Sequence, residues 1–153
     1  MFISIAAILH LLAAVIWVGG MFFAVYVLRL AAGTMEPGDR VPLWHRTFAK
    51  FFPWVWIAVV LLPLTGYWMV FDLHGDFSVL PVPYHIMHGL GWIMILIFLH
   101  LWFAPYARFK RALAGGDIPE AGKQLDTIRL LVTTNLYIGL VNVLIGATGR
   151  DWG

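Results

Sequence analysis

Apolar residues along this chain fall into four long blocks, with the charged residues confined to the stretches between them. The first block, Phe2 to Leu28, holds one histidine, His10, and no charge. A second runs from Phe51 to Phe71, with Pro53 in its first turn and Pro63 near its middle. A proline there removes an N–H and is expected to kink the helix. The third block lies within Pro83 to Ala107 and is expected to end near Pro105. Leu130 to Gly149 is the fourth and most polar, carrying Thr133, Thr134, Asn135 and Asn142. An α-helix needs about 20 apolar residues to cross a bilayer, and each block supplies that length. The pattern predicts one all-α domain over residues 1–153, an integral membrane four-helix bundle with spans at about 2–28, 51–71, 83–107 and 130–149.

The charges between the blocks give this bundle a direction. Arg29, Arg40, Arg46 and Lys50 follow the first block, and Arg108, Lys110, Arg111, Lys123 and Arg129 separate the third from the fourth. The second connection has Asp72 and Asp76 and no basic residue. Basic loops stay cytoplasmic, so the rule predicts an up-down-up-down bundle with both termini periplasmic. Two connections have local signals. RVPLWHRTFAK mixes aromatic and basic residues and reads as a short interfacial helix. AGGDIPEAGKQLDTIR reads as a turn at Gly115 and Gly116 followed by a helix start. The first block lacks a basic leader and stays uncharged to Leu28, so it reads as a span rather than a cleaved signal.

Composition narrows the chemistry. Of 153 residues 61% are hydrophobic and 12% charged, about half the charge of a soluble domain. No cysteine is present, which excludes disulfides, thiolate nucleophiles and iron–sulfur clusters. Every acidic residue lies outside the blocks, so there is no buried carboxylate relay, nucleophile–base pair or phosphate loop. The basic residues flank spans, so topology accounts for them and no nucleic-acid partner is implied. Trp44, Trp54, Trp102 and Trp152 lie near span ends, where tryptophan anchors to the interface.

Histidine is what remains. His45 and His74 lie in polar connections, whereas His10, His85, His88 and His100 lie within apolar blocks, where ionisable groups usually mark function. The bland alternative is an imidazole bonded to a neighbouring helix. His10 precedes Trp17 by seven residues and His85 precedes Trp92 by seven, so each pair shares a helix face. A planar cofactor between the first and third helices would take one imidazole from each. His88 competes with His85 for that place, because it matches the depth of His10 more closely. His100 lies about 22 Å beyond His85; a second site in that half would rest on it, with His45. Met21, Met69, Met87 and Met94 fill gaps in cores or ligate haem iron or Cu(I). Gly19, Gly20, Gly66, Gly89, Gly91, Gly139 and Gly146 allow close helix packing or a porphyrin face against backbone.

HLLAAVIWVGGMFF, FFPWVWIAVVLLPLTGYWM, LIFLHLWFAPYARFKRAL and IRLLVTTNLYIGL together resemble the CopD-like (copper resistance D) integral membrane proteins. That resemblance implies a multi-pass protein of the bacterial inner (cytoplasmic) membrane, with copper uptake or resistance and a periplasmic copper-binding partner. More distantly the chain is similar to the HemJ-type protoporphyrinogen oxidases, four-span haem b proteins with a first-helix histidine. Their third-span lysine has no counterpart here before Lys110.

Three readings follow. The first is a haem b protein moving electrons to or from a quinone or periplasmic redox partner. His10 and His85 or His88 would be its axial ligands, Trp17 and Trp92 would line the ring, and Arg29 or Arg108 would pair with a propionate or a lipid phosphate. The second is a copper-handling membrane component with a site of His10, His85, His88 and Met87. The third is an accessory subunit without cofactor. The matched histidines favour haem over copper.

Overall fold

The computed structural model describes residues 2–149, which form helices and turns with no strand among them. Trp152 lies outside the described residues. Helix α1 spans Phe2–Phe23 and passes through a π-helical turn, Ala24–Leu28, into α2, Arg29–Ala32. After a short turn, α3 runs unbroken from Pro37 to His74. A 3₁₀ turn, Phe77–Val79, leads to α4, Val82–Leu101. A second π turn, Trp102–Tyr106, joins it to α5, Ala107–Ala114, and α6 closes the fold at Ile118–Thr148. Four of the resulting rods are long and apolar enough to cross a membrane: Ile5–Ala32, Pro37–His74, Val82–Ala114 and Ile118–Thr148.

Local chemistry explains where these helices start and stop. Gly75 adopts φ +71°, a conformation that favours glycine, and its N–H bonds Phe71 O at 3.1 Å to end α3. Asp76 then caps the 3₁₀ turn, its carboxylate accepting from the Ser78 N–H at 2.9 Å. Those N–H contacts hold the Asp76 carboxyl below its ordinary pKa. Gly116, at φ +73°, precedes Asp117, which accepts from the Glu120 N–H at 3.1 Å and starts α6 with Pro119 in its first turn. The turn and helix start read at 115–117 are therefore present.

The helices outrun the apolar blocks. RVPLWHRTFAK is not a separate interfacial helix; it is part of the first turns of α3, which begins at Pro37 and spans 38 residues, about 57 Å. Likewise the third rod passes Pro105 instead of ending there. The ladder widens to a π turn around that proline, which has no N–H to donate, and resumes as α5. The fourth begins at Ile118, well before Leu130. Hydropathy marks the thickness of hydrocarbon, whereas a helix continues as long as its polar turns have an apolar side to bury. Val41, Trp44 and Phe48 of α3 supply that side, against Phe109 of α5 and Ala121, Leu125 and Ile128 of α6, all almost fully buried.

Packing is uneven as a result. At the basic end, Phe48 stacks on Phe52 at 4.9 Å, Tyr106 meets Phe52 edge-on at 4.8 Å, and Phe98, Trp56 and Trp102 extend the aromatic cluster. Lys110 Nζ lies 4.7 Å from the Tyr106 ring centroid, covering the cluster from outside. Toward the other end fewer side chains are buried, chiefly Ala6, Ala13, Thr65, Leu80 and Ile145. Helix α1 packs mainly along α3, and α4 mainly along α6. Large apolar residues such as Leu11, Val15, Leu64, Leu96 and Leu144 face outward, as suits a lipid-facing surface.

Candidate functional site

Two imidazoles lie on either side of one stretch of α3, Thr65–Gly66–Tyr67. Nδ1 of His10 is 2.9 Å from Oγ1 of Thr65. The Thr65 hydroxyl has one hydrogen, and at 2.6 Å it is given to the Leu61 carbonyl. Thr65 must therefore accept from His10, which puts the imidazole proton on Nδ1 and leaves the Nε2 lone pair free. Gly66 makes room for the ring: a Cβ there would lie 3.4 Å from Cε1 of His10. A histidine anchored through one nitrogen is the usual arrangement for ligation through the other.

His88 has the opposite arrangement. Its Nε2 accepts from the Trp92 indole N–H at 3.1 Å and from the Tyr67 hydroxyl at 2.9 Å, so its proton sits on Nδ1. Phe77 meets both histidines of this turn edge-on, His88 at 4.9 Å and His85 at 5.0 Å between centroids. His85 is exposed. Because Thr65 and Tyr67 are two residues apart, His10 and His88 sit within a few ångströms of the same level, as their sequence positions imply.

A second polar feature lies between α4 and α6. Met87 and Met94, Asn135 and Asn142, and Gly139 and Gly146 are each seven residues apart and so line one face of their helix. A Cβ on Gly139 would lie 3.0 Å from the Met94 terminal methyl and 3.7 Å from that of Met21 on α1. Gly146 similarly receives Met87, whose sulfur would be 3.5 Å from such a Cβ. Asn135 is buried and donates its amide to the Met94 carbonyl at 3.2 Å. The side-chain oxygens of Asn135 and Asn142 are buried and find no donor among the described residues. An acceptor left so costs about 1–3 kcal/mol.

The other residues singled out by sequence lie apart. Trp17 is buried against Phe98, 6.3 Å between centroids, while Trp92 is partly exposed and serves His88, so the matched His–Trp spacing does not give matched environments. His100 is exposed, and His45 packs against Phe109. Among the described residues no three of His, Asp or Glu come together as a metal-binding group. Thr65 and Tyr67, which fix both histidines, escaped the sequence reading. The signal for them was their place in LPLTGYWM, polar groups flanking a mid-span glycine. Asn135 and Asn142 were visible as intramembrane amides, but their alignment with Met87 and Met94 needed the helix pairing.

No curated protein and no solved structure matches this chain. The family model for copper resistance protein D matches residues 45–148, from the third turn of α3 to the end of α6. That span covers both the aromatic end and the Met–Asn–Gly seam, and with it this multi-pass membrane chain belongs to the CopD family.

Proposed function

We propose that the chain is a Cu(I)-handling component of a bacterial cytoplasmic membrane. It is a single four-span unit running up-down-up-down, with both termini on the periplasmic side. The distribution of Lys and Arg supports this orientation, since nine of the ten basic residues lie in or beside the two connections at one end. His10 and the thioethers would then lie on a route from the periplasmic face inward.

One observation carries the copper reading. The side chains of Met21 and Met94 both close on Gly139 in the bundle interior, one helical turn from the buried Asn135. Thioethers are soft, neutral ligands suited to Cu(I). His10 Nε2 offers an entry ligand, and Met87, packed on Gly146, lies at about the same level on the seam. The alternative, haem b held by two histidines, needs a second free imidazole nitrogen opposite His10. His88 has its Nε2 engaged by Trp92 and Tyr67, and His85 packs on Phe77, so copper is the better fit.

The test is Cu(I) affinity of the detergent-purified chain, measured by competition with a chromogenic chelator. Met94→Leu and Met21→Leu conserve volume and are expected to weaken binding at least tenfold, and His10→Ala to weaken it as well. His74→Ala should have no effect. A sharp α-band in the reduced-minus-oxidised spectrum with stoichiometric iron would overturn this assignment in favour of haem b. Unchanged Cu(I) affinity in both methionine variants would overturn the seam.

A further inference from the structure

We propose that the basic end of the bundle binds a phosphate group, between Arg40 of α3 and Arg129 of α6, with Trp44 supplying an indole N–H. Three buried donors there lack acceptors: Nε of Arg40, Nε of Arg129 and Nε1 of Trp44 make no hydrogen bond among the described residues. Trp44 is only 2% exposed, so its N–H is shielded from bulk water. These residues are neighbours. The Arg129 guanidinium lies 5.4 Å from the Trp44 ring centroid, and Arg40 and Arg129 line one cleft of about 370 Å³. Arg29, Trp44 and Arg129 line a smaller cavity alongside it, with room for about one water.

Charge points the same way. Asp126 is the acidic residue lining the larger cleft, and it bonds Nη1 of Arg129 at 3.1 Å. Lys123, also at the cleft, is paired loosely with Glu120 at 3.8 Å. Arg40 has no ion pair among the described residues, and Arg129 keeps its Nε unpaired. A tetrahedral dianion or diester offers several oxygens to planar guanidinium forks, which a carboxylate in the same space would satisfy less fully. Arg129, which lines the cleft, immediately precedes the apolar run of α6, the depth at which headgroups are expected. The phosphate can therefore come from an anionic lipid or from free phosphate, with the same donors for both.

Thermal melting of the full chain in neutral detergent distinguishes these sources. One arm titrates phosphatidylglycerol into the micelles against phosphatidylcholine; the other titrates sodium phosphate against sodium chloride at matched ionic strength. A saturable rise in Tm is expected in one arm, identifying lipid or free phosphate as the source. Arg40→Gln should abolish it, and Trp44→Phe should raise the half-saturating concentration several-fold while keeping the ring. No saturable rise for the unsubstituted chain in either arm would overturn the proposal. So would a rise that persists undiminished in Arg40→Gln. Arg129→Gln gives a further check, and if it fails to fold the unsubstituted chain and Arg40→Gln still decide.

Discussion

Thr65→Val isolates the contact on which the His10 assignment rests. Valine has nearly the shape of threonine and keeps the branch at Cβ, so the helix and its packing change little. What is lost is the acceptor 2.9 Å from Nδ1 of His10. The bond from Thr65 to Leu61 O also goes, but that carbonyl still has its helical N–H partner. Interhelical hydrogen bonds in membranes contribute about 0.6–2 kcal/mol, and a buried donor left unpaired costs about 1–3 kcal/mol. His10 is part-buried, so a loss of roughly 1–1.5 kcal/mol is expected, equivalent to about a tenfold change in the folding equilibrium. The assay is reversible unfolding in mixed micelles for Thr65→Val, His10→Ala and the double variant, with Cu(I) affinity measured alongside. A coupling energy near 1 kcal/mol should appear between positions 10 and 65. Cu(I) affinity of Thr65→Val should fall about 10- to 100-fold, since a ligating imidazole is oriented by the partner of its other nitrogen. Additive single effects together with unchanged affinity would refute both the tautomer and the ligand role.

Gly139→Ala places a methyl 3.0 Å from Val18 Cγ2 and from Met94 Cε. Overpacking of about 1–3 kcal/mol should exceed the helix-propensity gain of about 1 kcal/mol, giving net destabilisation by unfolding assay and weaker Cu(I) binding. Trp92→Phe keeps the ring but removes the N–H given to His88. A loss of roughly 0.5–1 kcal/mol is expected, with Cu(I) affinity unchanged, because His88 Nε2 is not offered as a ligand. Asp76 has its carboxyl pKa depressed by the Ser78 N–H, so its cap contributes above the ordinary carboxylate pKa and is lost as pH falls through the depressed value. Amide exchange at Ser78 should accordingly lose protection in acid, and Asp76→Ala should lack that protection at every pH.

Four helices, their order and the basic character of one end were legible because lipid imposes a simple rule on apolar length. Most helix ends were not, although the turn at Gly115 and Gly116 did mark the start of α6. Val41, Trp44 and Phe48 occur at helical spacing in a polar stretch, and only their burial against Phe109, Leu125 and Ile128 shows that they extend a helix. His10 and His88 stood out in the sequence as ionisable groups within apolar runs. Their differing hydrogen bonds depend on Thr65, Tyr67 and Trp92, two of which come from another helix. No spacing rule within one helix encodes that. The methionine seam failed to emerge for a similar reason: a seven-residue repeat of Met, Asn or Gly is common in any packed helix, and only the opposition of two such repeats brings thioether and amide together.

The uneven packing between the two ends has a mechanical consequence. Interlocked aromatic rings resist separation because many close contacts must break at once, whereas a few hydrogen bonds and small residues part at little cost. Strain on the bundle therefore opens it first around His10 and His88, while Phe48, Phe52, Tyr106 and Phe109 hold the basic end shut. A bundle built this way does not come apart evenly: it loosens at one end while the aromatic end still holds its helices in register.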